Sequence, residues 1–176
     1  MERQAARMSS PDQDELYLKN VSMHTIVSSR FAVLDTNVVL DWLVFRHPIC
    51  EQLPAVLYRR QLRWLATFEM QAEMAHVLAR GLGPRWKIDD TWRDAWSLHA
   101  HLVKPEAAPL YLPRCSDPDD QKFIELAVWS SARWLLTRDR ALLKLARRLQ
   151  RHGVAVLTPE KFMALDDAAC SAAPAQ

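Results

Sequence analysis

Glycine is nearly missing from this chain, with three among 176 residues. That leaves little room for a loop that cradles phosphates, and neither a P-loop nor a Gly-x-Gly-x-x-Gly fingerprint occurs. Cysteine is equally scarce. Cys50, Cys115 and Cys170 are odd in number and lack Cys-x-x-Cys spacing, which speaks against a disulfide framework or a zinc knuckle and reads as reduced thiols of a cytoplasmic protein. No apolar run reaches membrane length and no N-terminal apolar core of a leader is present, so no membrane association is expected. Charge of one sign is lacking too. A net charge of +2 is too small to announce a polyanionic partner, and any case for nucleic acid rests on where the charges sit. The histidines form no ligand pair: His99 and His101 are two apart and point to different sides of a helix. His76 suits a neighbour of Glu73 better than a metal ligand, and no Ser-His-Asp order is found.

What is present is an ordinary globular composition, 49% hydrophobic and 25% charged, in a chain long enough to bury one substantial core. Met1 to about Arg30 is polar and weakly patterned, and is expected to be a partly disordered extension. Phe31–Leu34 is a compact apolar run suited to a central parallel strand. Asn37–Phe45 reads as helical and is interrupted at His47-Pro48. Ile49–Leu62 carries a helical face, Trp64–Thr67 suits a second strand, and Phe68–Leu82 is a helix stopped by Gly81, Gly83 and Pro84. Asp89–Val103 reads as a further helix with Trp92 and Trp96 one turn apart. Pro105–Cys115, with three prolines, is expected to be a loop with room for one short strand.

Asp117-Pro118 is a helix start, an N-cap carboxylate followed by proline at the first helical position. Trp134–Thr137 is strand-like, Ala141–His152 helical, Val154–Leu157 a last strand and Pro159–Leu165 a last short helix. Asp166–Gln176 is an Ala-rich tail. Strands alternating with helices imply an α/β fold, a parallel sheet covered on both faces, in one domain over residues 31–165.

The chemistry lies in the acids. Asp35 ends the first apolar run, where a charge is poorly explained by packing. Glu73 lies in the helix after the second strand, with Glu69 one turn earlier as its competitor. Asp117, Asp119 and Asp120 open the Pro118 helix, and Asp139 follows the strand at Trp134–Thr137. In a parallel sheet the C-terminal strand ends and the helix N-termini converge on one edge, so acids far apart in sequence can meet there. Two carboxylates about 4 Å apart repel by roughly 4 kcal/mol at an effective dielectric of 20, and such a cluster holds its ionised form only with a cation. All-oxygen ligands favour Mg²⁺ or Mn²⁺, and a divalent ion beside a phosphodiester can activate water and stabilise the leaving oxygen. Each acid also has a bland explanation. Asp117 serves as a helix cap, Asp119 suits the helix dipole, and Asp41 is expected on the surface of its helix.

Val33-Leu34-Asp35-Thr36-Asn37-Val38, Thr67 with Glu73 six residues later, Asp117-Pro118-Asp119-Asp120-Gln121-Lys122-Phe123 and Leu136-Thr137-Arg138-Asp139 resemble the successive motifs of PIN-domain nucleases. The likeness extends to the toxin-like PIN subfamily related to the VapC toxins of toxin–antitoxin pairs, and covers roughly Phe31–Leu165. It implies a three-layer α/β/α sandwich and Mg²⁺- or Mn²⁺-dependent cleavage of RNA in the cytoplasm, with a small antitoxin protein as partner and a homodimer allowed. It also implies an acidic set of Asp35, Glu73, Asp120 and Asp139, with Thr36, Asn37 and Thr137 as supporting polar groups. Asp35, Asp139 and Asp120 would hold the metal, and Glu73 would ligate a second ion or orient water. Many relatives carry another Asp where this chain has Gln121, which keeps Asp117 in contention with Asp120.

Arg140, Lys144, Arg147, Arg148 and Arg151 recur at helical spacing opposite Leu142, Leu145, Ala146 and Leu149. With Arg138, this stripe can hold RNA phosphates or be the solvated face of an amphipathic helix. Trp86, Trp92 and Trp96 suit core packing better than base stacking. Three other readings compete. A phosphatase of the haloacid dehalogenase type wants Asp-x-Asp, and the second acid here is Asn37. A receiver domain wants an acid pair ahead of its phosphoacceptor. A PIN-like scaffold without activity would act as a binding module.

Overall fold

The computed structural model of the protein describes residues 30–84, 86, 91–105 and 111–171, the last six by their backbone. The expected N-terminal extension therefore lies outside the described residues, Arg30 excepted. Five strands form one sheet: β1 (Phe31–Leu34), β2 (Arg63–Ala66), β3 (Ala100–Leu102), β4 (Trp134–Leu136) and β5 (Ala155–Leu157). Every pairing is parallel and the order is β3-β2-β1-β4-β5. Eight α-helices accompany them among the described residues: α1 (Thr36–Leu43), α2 (Leu53–Arg59), α3 (Phe68–Arg80), α4 (Thr91–His99), α5 (Gln121–Trp129), α6 (Arg140–Lys144), α7 (Ala146–Gln150) and α8 (Pro159–Ser171). This is the α/β/α sandwich that the alternation of strands and helices predicts.

The strand order explains the layers. The chain steps outward from β1 through β2 to β3, then returns to the other side of β1 for β4 and β5. Right-handed crossovers in opposite directions put their helices on opposite faces of the sheet. The central strands are accordingly buried along their length: β1 and β4 throughout, and β2 beyond Arg63. That is why their sequences are unbroken apolar runs rather than alternating ones. The edges β3 and β5 bury less.

One core patch is aromatic. Trp64 of β2 lies 5.8 Å from Trp42 of α1 and 4.7 Å from Trp96 of α4, and Trp92 meets Trp96 edge-on. Trp92 and Trp96 are thus core residues, and Trp86 lies edge-on to Phe45. At the C-terminus Phe162 of α8 packs edge-on to Trp134, and the Arg60 guanidinium lies over its ring. That packing returns the last helix to the region where α2 ends.

Four differences from the sequence reading stand out. The helix expected over Asp89–Val103 stops at His99, and the next three residues are β3, paired with Trp64–Ala66. A three-residue edge strand is too short to show a period of two. The helix expected over Ala141–His152 breaks at Leu145, whose N–H bonds three residues back to the Leu142 carbonyl rather than four; no glycine or proline marks the spot. The Pro118 helix opens as a 3₁₀ turn, Pro118–Asp120, before α5. Finally α8 continues to Ser171, six residues past its expected end. In the described parts of the loop from Pro105 to Cys115 there is no strand, and among the described residues no helix is long and apolar enough to cross a membrane.

Trp64 is 1% exposed, and among the described residues its indole nitrogen has no acceptor. Trp64→Ala should therefore cost about 3–5 kcal/mol of stability in denaturant unfolding. Trp64→Phe, which removes an unpaired N–H as well as volume, should cost clearly less.

Candidate functional site

Strand order fixes where the site lies. In an open parallel sheet, ligands bind outside the carboxyl ends of strands at the point where the chain reverses its direction of winding. Here that point lies between β1 and β4. Asp35 follows β1 directly, and Thr137-Arg138-Asp139 follow β4.

These two strand ends are joined side chain to side chain. The Thr137 hydroxyl donates to Asp35 Oδ2 at 2.7 Å and accepts the Asp139 backbone N–H at 2.9 Å. The Asp35 backbone N–H in turn donates to the Leu136 carbonyl at 2.9 Å. Asp35 and Thr137 are almost wholly buried, 1% and 0% exposed. Both acids also begin helices. Asp35 Oδ1 accepts the Asn37 N–H at 3.3 Å at the start of α1, and Asp139 Oδ1 accepts the Ala141 N–H at 2.5 Å and the Leu142 N–H at 3.3 Å at the start of α6. Capping and charge placement thus coincide, since the carboxylates sit at the positive ends of helix dipoles. Thr36 is buried on the first turn of α1, and Asn37 is exposed beside it.

The other acids come from the neighbouring elements. Thr67 caps α3 by accepting the Met70 N–H, and Glu73 follows in the second turn of that helix. Glu69 is exposed. Asp117 caps the 3₁₀ turn, accepting the Asp119 N–H at 3.0 Å, and is itself exposed. Asp120 stands at the start of α5 with no capping hydrogen bond of its own. The Asp117 side chain is therefore engaged by the turn, and that of Asp120 is not.

Electrostatics binds the group together. Burial, above all, pushes the Asp120 carboxyl up to about 7, and the negative fields of Asp35, Asp139, Asp117 and Glu73 add to it. Asp35 is raised as well, first by burial, with the Thr137 hydroxyl and Asn37 N–H pulling it back and Asp139 and Glu73 pushing it up. So the acids expected from four segments of sequence share one field. Among the described residues no three acid, His or Cys side chains surround a single point at ligating distance, so the field is shared without a closed coordination shell. A set of carboxylate donors in one negative field fits a hard divalent cation such as Mg²⁺ or Mn²⁺.

Three polar residues have roles that the sequence did not disclose. Arg138, expected at the RNA surface, is engaged internally: Nε lies 2.6 Å from Asp41 Oδ2, Nη2 lies 2.6 Å from Glu160 Oε1, and Nη2 reaches Cys50 Sγ at 3.9 Å. Asp41 is consequently a half-buried ion-pair partner rather than a solvated acid. Gln121 fastens the approach loop, its Oε1 accepting the Cys115 N–H at 2.9 Å and its Nε2 donating to the Pro113 carbonyl at 3.4 Å. A carboxylate at that position could accept the first bond but not donate the second. Lys122 pairs with Glu73 at 2.6 Å; a cation in the first turn of a helix, against its dipole, was the signal in the sequence. The stripe of Arg140, Lys144, Arg147, Arg148 and Arg151 is exposed, and Leu142, Leu145 and Leu149 on the other side are buried.

A parallel α/β sheet with acids gathered at its switch point defines a class of protein, and comparison with known families agrees. The PIN domain family model matches residues 32–141, and the chain belongs to that family. PIN domains are typically nucleases, acting on nucleic acids and usually with Mg²⁺ or Mn²⁺. No curated protein matches the chain closely enough to count as a relative.

The raised Asp120 makes a signed prediction. A carboxyl at about 7 when folded and near 3.8 when unfolded binds more protons in the folded state across that window, so stability falls as pH rises through it. Asp120→Asn removes the effect. Its melting temperature should exceed that of the wild type by more at pH 8 than at pH 4.5, about 2–4 °C for each kcal/mol relieved, and saturating Mg²⁺ should narrow the gap at pH 8.

Proposed function

We propose that this PIN domain is a divalent-metal-dependent endoribonuclease of the cytoplasm, the toxin of a toxin–antitoxin pair related to the VapC toxins. The observation that carries the metal-dependent reading is the hydroxyl bridge from Asp35 through Thr137 to Asp139, with the uncapped Asp120 inside the same negative field. Asp35, Asp139 and Asp120 would hold a Mg²⁺ or Mn²⁺ ion, which when bound supplies a Lewis acid for the phosphodiester and a more acidic water. Thr137 orients Asp35, the capping hydrogen bonds hold Asp139, and Glu73 stands on the flank where it can orient water. Asp117 supports the turn that presents Asp120. The choice of RNA, a small antitoxin protein as partner and a homodimer follow from likeness to the toxin-like subfamily, an analogy of family rather than of geometry.

The test is direct. Asp35→Asn should abolish Mg²⁺- or Mn²⁺-dependent cleavage of a mixed RNA pool. Thr137→Val, which leaves the carboxylate but removes its orienting donor, should slow cleavage by about 10–100-fold. No metal-dependent cleavage by the wild type beyond that of Asp35→Asn would leave the inactive binding module, a reading favoured by one observation: Glu73 already has an internal partner in Lys122.

The basic stripe supplies a second test. If Arg147, Arg148 and Arg151 hold phosphates, replacing all three by Ala should flatten the slope of log affinity against log salt. The change should be ~0.7 for each phosphate of single-stranded RNA that is no longer neutralised. An unchanged slope would return the stripe to an ordinary solvated helix face.

A further inference from the structure

Lys122 is held more firmly than a surface lysine usually is. Its ammonium lies 2.6 Å from Glu73 Oε2 and donates to the Asp119 carbonyl at 2.6 Å, and the Phe123 ring lies 5.4 Å from it. The side chain is 15% exposed. Glu73 Oε2 is closed to solvent, so the charge it meets at that oxygen is the ammonium. Lys122 also sits where the dipole of α5 opposes a cation, one residue after Gln121 and two after Asp120. A solvated lysine has no reason to accept that position; a counter-ion for Glu73 does.

Like charges decide the consequence. A divalent ion on Glu73 would stand within a few ångströms of the ammonium, and the two would repel strongly at the dielectric of a half-buried site. We propose that Lys122 occupies the counter-ion position at Glu73, so that the acid edge takes one divalent cation, held by Asp35, Asp120 and Asp139, and Lys122 supplies the fixed positive charge a second ion would bring. This rests on the metal-dependent reading above, and makes Lys122 a positioning residue of that site.

Counting bound Mn²⁺ on the full chain, by titration calorimetry and by electron paramagnetic resonance, tests it without reference to turnover. The wild type should bind one Mn²⁺ per chain, abolished in Asp35→Asn. Lys122→Gln should bind a second Mn²⁺, removed again by adding Glu73→Gln, and Lys122→Arg should stay at one. Two comparable Mn²⁺ ions on the wild type, or a single ion on folded Lys122→Gln, would overturn the proposal. The wild-type count stands even if Lys122→Gln does not fold. A wild type that binds no Mn²⁺ would overturn the metal reading itself, and the role of Lys122 with it.

Discussion

The Thr137 hydroxyl is the joint on which this architecture turns. It donates to a carboxylate that the sheet buries almost completely and accepts the N–H that leads into the next acid. An isolated buried carboxylate is costly. A hydrogen bond to a charged group returns about 1.5–3 kcal/mol, and the N-terminus of α1 adds its dipole. The arrangement is possible only because β1 and β4 are neighbours. Asp35 and Thr137 are 102 positions apart and meet because the chain returns past β1 after building the β2–β3 side. Topology thus does what no local motif can. It converts two ordinary strand ends into one polar edge beside an apolar layer.

Around that joint the positive charges divide the work. Arg138 is drawn inward, tying α1 through Asp41 and α8 through Glu160 to the residue directly before Asp139. A fork-shaped guanidinium suits such bridging, because its donors point in several fixed directions at once. The flexible ammonium of Lys122 suits a point interaction, and meets Glu73. The stripe on α6 and α7 stays exposed. A net charge near zero therefore conceals an ordered distribution, with cations bracing the acid edge from both flanks and a basic helical face beyond it.

The layers and the sheet direction were legible from sequence because the central strands are buried on both sides, and β1, β2 and β4 read as plain apolar runs. The candidate acids were legible because carboxylates after apolar strands are unusual. What the sequence hides is of two kinds. Short edges carry too little pattern, so β3 reads as part of the preceding helix, and Leu145 breaks a helix with no glycine or proline to announce it. Ion pairs are relations between distant residues. Arg138 and Asp41 each look like solvated surface charges until the fold places them 2.6 Å apart.

The acidic turn shows how one run of sequence separates two tasks. Asp117, Asp119 and Asp120 are chemically alike and nearly adjacent, yet a single 3₁₀ turn gives them different surroundings. Asp117 lies outside the turn and satisfies a backbone N–H; Asp119 faces solvent and lends its carbonyl to Lys122. Asp120, at the junction of turn and helix, is freed from capping and is the one pressed into the negative field. Gln121 secures this outcome by pinning the preceding loop at Pro113 and Cys115. An acid at this position could not donate to the Pro113 carbonyl, so the amide gives the loop an order that a carboxylate would not.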